Sequence, residues 1–148
     1  MNLENDRKIL KITGIISIIG AVLTCIIGIL NLIGVFAGGE SAAVVGMIQK
    51  KAMKYIILGI VTIISAICYL VQGIASIKAS KQNKYGTKAI IWAIISMMIS
   101  ICRAWSEIRC YEWTIPTITG LVITISIVGL IYFEAKKVKE AYREEKNK

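Results

Sequence analysis

The sequence predicts an all-α integral membrane protein, a four-helix bundle of antiparallel up-down topology with both termini in the cytoplasm. Three observations carry that expectation. Four long apolar runs, none with an ionisable residue near its middle, fill most of the 148 residues: Ile12 to Phe36, Tyr55 to Ile77, Ala89 to Cys102 and Ile115 to Phe133. Hydrophobic residues make up 56% of the chain and mean hydropathy is +0.69, which leaves room for one membrane domain over residues 1–148 and for no separate soluble domain. The lysines and arginines behind the net charge of +9 gather at the ends of the runs.

An unpaired backbone amide costs several kcal/mol in hydrocarbon, so only helices or closed barrels cross a bilayer, and continuous apolar runs read as helices. At ~1.5 Å per residue, about 20 residues cover the ~30 Å hydrocarbon core. Three runs reach that length and the third falls short. The expected spans are about 12–36, 54–77, 87–105 and 114–133, followed by a cytoplasmic helical tail, 134–148.

Arg7, Lys8 and Lys11 precede the first run, as in signal peptides and retained anchors alike. The run is well past the roughly 7–15 apolar residues of a cleaved signal, so it is expected to stay as the first span. Gly38 and Gly39 end it, and Ser41 is placed to cap a new helix. From Ala42 to Lys54 the pattern is amphipathic, with Val44, Val45, Ile48, Ala52 and Met53 against Gln49, Lys50, Lys51 and Lys54. It reads as an extension of the second span whose lysines snorkel to headgroups, the alternative being an outer helix that binds a partner.

The second span runs into a lysine-rich turn, Lys78 to Lys88, with Gly86 as the expected breaker. Lys88 and Arg103 then bracket only 14 residues, ~21 Å of helix. The third span must extend to about Trp105 with Arg103 snorkelling outward, thin the bilayer, or shield Arg103 among its neighbours; snorkelling is the expectation. If the helix continues, Glu107 falls one turn beyond Arg103 and forms an outer ion pair with it. Pro116 suits the first turn of the fourth span, where its missing amide hydrogen is no loss. Glu134 to Lys148, rich in Ala, Glu, Lys and Arg without a breaker, reads as a solvated extension of that helix.

Basic residues set the orientation. Arg7, Lys8, Lys11, Lys78, Lys81, Lys84, Lys88, Lys136, Lys137, Lys139, Arg143, Lys146 and Lys148 fall on one side; Lys50, Lys51, Lys54, Arg103 and Arg109 fall on the other. Thirteen against five puts both termini and the middle loop inside the cell membrane. Trp105, Tyr111 and Trp113 lie at headgroup depth around the last outer loop. Lysines at span ends meet anionic lipid headgroups, so the basic charge points to the bilayer and not to nucleic acid.

Small and hydroxylated residues recur at helical spacing. The first span carries Thr13, Ser17, Gly20, Thr24 and Gly28, with Gly34 and Gly38 as a GxxxG; the second Gly59, Thr62, Ala66 and Gly73; the third Ala89, Ala93, Ser96 and Ser100; the fourth Gly120 and Thr124. These are expected helix-packing faces, used within the bundle or between copies. A shift of 45 residues aligns Gly14 with Gly59, Ser17 with Thr62, Ala21 with Ala66 and Gly28 with Gly73, a weak internal repeat. Asn31 and Gln72 are the amides within the spans, fit to fix register by interhelical hydrogen bonds. Cys102 and Cys110 fall where an oxidising compartment permits a disulfide closing the outer loop; one continuous helix would instead hold them ~12 Å apart, beyond the ~7 Å Cα limit for a bridge.

The chain has no histidine, no carboxylate inside a run, no Gly-rich phosphate loop and no nucleophile–base pair. No catalytic residue, metal site or cofactor is therefore expected. The function expected is non-enzymatic: association with itself as a homo-oligomer, or with another membrane protein as a small accessory subunit of a complex. The alternative is a small pore, holin-like or transporter subunit moving ions or small solutes, against which stands the absence of a strongly polar stripe to line a wet path.

Overall fold

Apolar runs free of internal proline give the backbone one way to satisfy every amide in lipid, and each run is helical in the computed structural model of the protein. Helix α1 spans Leu3–Ala37, α2 Val45–Lys81, α3 Gly86–Tyr111 and α4 Ile115–Lys146, with a 3-10 turn, Asn83–Tyr85, between α2 and α3. The structure describes residues 3–37, 45–111 and 115–146, and within these all side chains but those of 34–37, 45–52, 111, 115–117 and 145. Gly38, the stretch before Val45 and Trp113 thus lie outside the described residues, and the surroundings of Gly34 and of the outer lysines Lys50 and Lys51 are likewise outside. All four helices are long and apolar enough to cross a membrane. The third run is short only as a run: α3 continues through Arg103 to Tyr111, 26 residues or ~39 Å.

Each helix packs on the next and α4 returns to α1, while α2 and α4 meet only slightly across the middle. The distribution of side chains is inverted relative to a protein in water. Thr13, Ser17, Thr24, Thr62, Ser65, Gln72, Ser76, Ser96 and Ser100 are buried, whereas Ile12, Ile19, Leu23, Ile27, Ile60, Ile67, Ile94, Met98, Ile123 and Phe133 are exposed. In water that arrangement would forfeit the hydrophobic gain of roughly 1.5–3 kcal/mol per large side chain. In lipid the isoleucines lose nothing by facing out, and small residues inside let the helices approach.

The closest approach is between α1 and α2. A Cβ on Gly73 would stand 2.7 Å from the Gly14 carbonyl oxygen, and one on Gly14 would stand 2.9 Å from that of Gly73. Gly28 and Gly59 meet at a second crossing, each 3.3 Å from the other's carbonyl oxygen by the same construction. Buried hydroxyls are satisfied within their own helices: Thr13 donates to Ile9 O at 2.8 Å, Thr62 to Leu58 O at 2.7 Å and Ser76 to Gln72 O at 2.9 Å.

Two expectations about the α2–α3 turn and the tail are corrected. Gly86 does not break a helix; with φ −54 and ψ −42 it opens α3, and the break is at Gln82, which is extended (φ −142, ψ 121). What Gly86 supplies is room, since a Cβ there would lie 3.0 Å from the Ala135 carbonyl oxygen of α4. The segment after Phe133 is not simply a solvated tail. Ala135 and Val138 are fully buried and join Leu10 of α1, Ala79 of α2 and Ala89 and Ala93 of α3 in one core. A small residue or valine every third position gives α4 a packing stripe that outlasts its apolar run.

Candidate functional site

Gly20 and Gly120 lie on the expected packing faces of α1 and α4, yet a Cβ on either would meet nothing within 4 Å. Both border a cavity of about 340 Å³. Its walls are Ser17, Gly20 and Thr24 of α1 and Gly120, Thr124 and Val128 of α4, and Tyr69 and Gln72 of α2 and Arg103 of α3 complete the lining. The exposed Ile16, Ile19 and Leu23 of α1 and Ile123 of α4 also line it. It therefore opens sideways between α1 and α4, through an apolar rim.

Two of the four buried side-chain polar atoms without a partner among the described residues belong to Gln72, in the cavity wall. Gln72 is fully buried, and neither its amide oxygen nor its amide nitrogen has a hydrogen-bond partner. Such an orphaned pair costs roughly 1–3 kcal/mol per group unless a partner is supplied. Tyr69 is tied down: its hydroxyl lies 2.7 Å from Ser100 Oγ. Because Ser100 spends its own hydrogen on Ser96 O, Tyr69 is the donor.

Arg103 is partly buried. Its Nε donates to Glu107 Oε1 at 2.8 Å, and the two side chains are only 22% and 20% exposed. It shares a niche with Tyr69, Ser100, Gly120 and Thr124, and Thr124 is the middle residue of the fourth apolar run. The arginine is shielded among its neighbours because α3 runs on as helix and places Glu107 one turn above it. A guanidinium within a span is costly, and the carboxylate offsets part of that cost. The pair with Nε is the arginine's one hydrogen bond among the described residues, which leaves its two terminal amino groups for a ligand.

No family model matches the chain, and neither a curated protein nor a solved structure does. The site therefore stands on its geometry alone.

The other expected positions fall as follows. Cys102 and Cys110 are free thiols; α3 carries both as one helix, so the loop a bridge would have closed is helical, and Cys110 Sγ sits 3.5 Å from Lys54 O. Gly28, Gly59 and Gly73 are consumed in the α1–α2 crossings, beside buried Thr13, Thr62 and Ala66. Among the described residues no group of three or more histidine, cysteine or acidic side chains is placed to hold a metal.

Sequence reasoning missed a charged cluster at the opposite end from Lys54. Lys137 of α4 reaches Asp6 of α1 at 3.4 Å and Glu134 at 3.0 Å, while Arg7 donates to Asn83 Oδ1 at 2.7 Å. Lys137 and Glu134 are one turn apart, but Asp6 lies 131 residues from Lys137, so sequence spacing could not bring the three together. It also missed the Tyr69–Ser100 hydrogen bond, for which the one clue was a tyrosine inside an otherwise aliphatic run.

Proposed function

We propose that this chain is a multi-pass protein of the cell membrane, an antiparallel up-down bundle with both termini and the α2–α3 turn in the cytoplasm. Supporting the topology, Gly14 meets Gly73 while Gly28 meets Gly59, and the start of α1, the α2–α3 turn and the far half of α4 are joined by Asp6, Arg7, Asn83 and Lys137. The basic bias of that end supports the orientation. Single cysteines at Lys84 and at Lys54, on a cysteine-free background, test it: a membrane-impermeant maleimide added to intact cells should label the second and spare the first.

Within that frame its role is non-enzymatic binding of a small bilayer-borne molecule in the side-opening cavity, as a carrier or as a subunit serving one. The observation that carries this reading is Gln72, a fully buried amide with both polar ends unpaired beside an open volume. The sequence offered no polar stripe for a solute path because the polar groups come from all four helices, one or two from each. The test is mass spectrometry of protein released from mild detergent or nanodiscs. A small-molecule adduct should accompany the wild type and be lost in Gly120→Leu, whose side chain enters open space. An adduct-free wild type would overturn the reading.

Association with a larger membrane protein is the second reading, favoured by a wholly apolar groove of about 270 Å³ between α3 and α4, lined by Ile94, Met97, Gly129 and Tyr132. Gly129, with nothing within 4 Å of its would-be Cβ, remains available to a packing neighbour. Self-association through Gly28, Gly59 and Gly73 has lost its residues to the α1–α2 interface. The same intact-mass measurement reads any stoichiometric protein partner directly.

A further inference from the structure

Donors and acceptors in the α1–α4 cavity restrict what fits there. Arg103 offers only donors, and its two terminal amino groups present the planar fork that carboxylates and phosphates fill in a bidentate way. Gln72 adds an unpaired amide in the cavity wall, covered in the empty site, that can donate to the same oxygens and accept in return once its side chain turns toward them. The rim is the reverse: Ile16, Ile19, Leu23 and Ile123 offer nothing polar. A volume of about 340 Å³ is at the small end of ligand cavities and holds a headgroup with the first part of a chain, not a two-chain lipid. The slot between α1 and α4 lets the remainder of the chain lie in the surrounding hydrocarbon.

We infer that the cavity is a binding site for a single-chain anionic amphiphile, a fatty acid or a monoacyl phosphate, whose head is gripped by Arg103 and Gln72 and whose chain leaves between α1 and α4. The inference rests on the binding reading above and adds the ligand class. Glu107 pairs with the arginine through Nε and keeps the empty site neutral overall. The ligand's charge is taken up by the terminal amino groups, which Glu107 leaves unpaired because it holds the guanidinium through Nε, at 2.8 Å. Among the described residues no other side chain that is charged at neutral pH lines the cavity.

The test uses the full chain in nanodiscs with two photoreactive probes of one length, a diazirine palmitic acid and the corresponding alcohol, at a pH where the acid is ionised. Crosslinks are mapped by peptide mass spectrometry. The acid is expected to label α1 near Gly20 or α4 near Thr124 at least tenfold more than the alcohol. Excess palmitate or excess monoacylglycerol phosphate should displace it, and the stronger competitor names the head. In R103Q/E107Q, which removes both charges together, acid labelling should fall to the alcohol's level. Because the acid–alcohol comparison is made on the wild type, a variant that fails to fold does not decide the outcome. If the alcohol labels as well as the acid and Gly120→Leu abolishes both, a ligand site exists but the anionic class is wrong. If neither probe labels the wild type above Gly120→Leu, the binding reading itself falls. Labelling that neither competitor displaces also overturns the inference.

Discussion

Gly14 and Gly73 touch backbone to backbone: a Cβ on Gly73 would come within 2.7 Å of the Gly14 carbonyl oxygen and of Ile18 Cγ1. A carbonyl in a helix cannot swing aside, so any side chain at Gly73 must part α1 from α2. Gly73→Val is expected to destabilise the bundle by at least the ~1–3 kcal/mol typical of overpacking. Gly20→Ala, on the same helix as Gly14 but beside open space, should leave stability nearly unchanged. Thermal unfolding midpoints of the two variants in mild detergent check the contrast.

The four spans were legible because length and hydropathy act locally. The glycine pairing was half legible. The 45-residue shift aligned Gly14 with Gly59 and Gly28 with Gly73, and the structure pairs Gly14 with Gly73 and Gly28 with Gly59. Applying the shift to one crossing produces the other, so the repeat is visible in sequence while its geometry needs the two helices face to face. The cavity was not legible. Ser17, Gly20, Thr24, Gly120 and Thr124 satisfy the spacing rule for packing faces, and nothing in that rule distinguishes a glycine that touches a neighbour from one that borders a void. The Arg103–Glu107 pair followed from helix continuity, since α3 does not stop with the apolar run at Cys102, but the niche that Arg103 shares with Tyr69, Ser100, Gly120 and Thr124 had no local signal.

An amide kept unpaired for a ligand is a liability in the empty protein. Gln72→Leu removes two buried unsatisfied groups at similar volume, so it is expected to raise the stability of ligand-free protein by about 1–3 kcal/mol. A lower midpoint would mean that Gln72 has structural partners, and the case for a ligand there would be withdrawn. The comparison is made on delipidated protein in one detergent, since a bound ligand would stabilise the wild type by mass action.

Tyr69, Ser100 and Ser96 form a short donor chain between α2 and α3, from Tyr69 hydroxyl to Ser100 Oγ at 2.7 Å and on to Ser96 O. Interhelical hydrogen bonds in membranes average about 0.6 kcal/mol and reach ~1.7. A double-mutant cycle of Tyr69→Phe and Ser100→Ala should give a coupling energy in that interval, read from unfolding in mixed micelles. Zero coupling would show that the two hydroxyls do not meet.

Continuity of α3 makes a redox prediction. Held ~12 Å apart along one helix, Cys102 and Cys110 cannot bridge without local unwinding. Protein isolated without reductant and unfolded in the presence of an alkylating agent should therefore carry four modifications, one each at Cys25, Cys68, Cys102 and Cys110. Two modifications fewer, located by peptide mapping to Cys102 and Cys110, would mean that the outer end of α3 opens.

Val138 sits five residues beyond the last apolar run and is fully buried, packed in one core with Leu10, Ala79 and Ala89. Around it the charges are arranged to hold α4 against α1: Lys137 spans Glu134 and Asp6, although the exposure of its side chain leaves each pair weak. Burial of Val138 contributes more, roughly 1.5–3 kcal/mol in this water-facing end. Truncation after Phe133 removes the valine, Ala135 and both carboxylate contacts of Lys137 together, and should lower the unfolding midpoint far more than truncation after Arg143. Val138→Asp in the full chain should reproduce most of that loss, since it buries a charge with no partner, whereas Lys137→Met should reproduce little of it. A solvated tail would give no difference between the two truncations, so the pair of measurements decides whether the half of α4 beyond Phe133 belongs to the bundle.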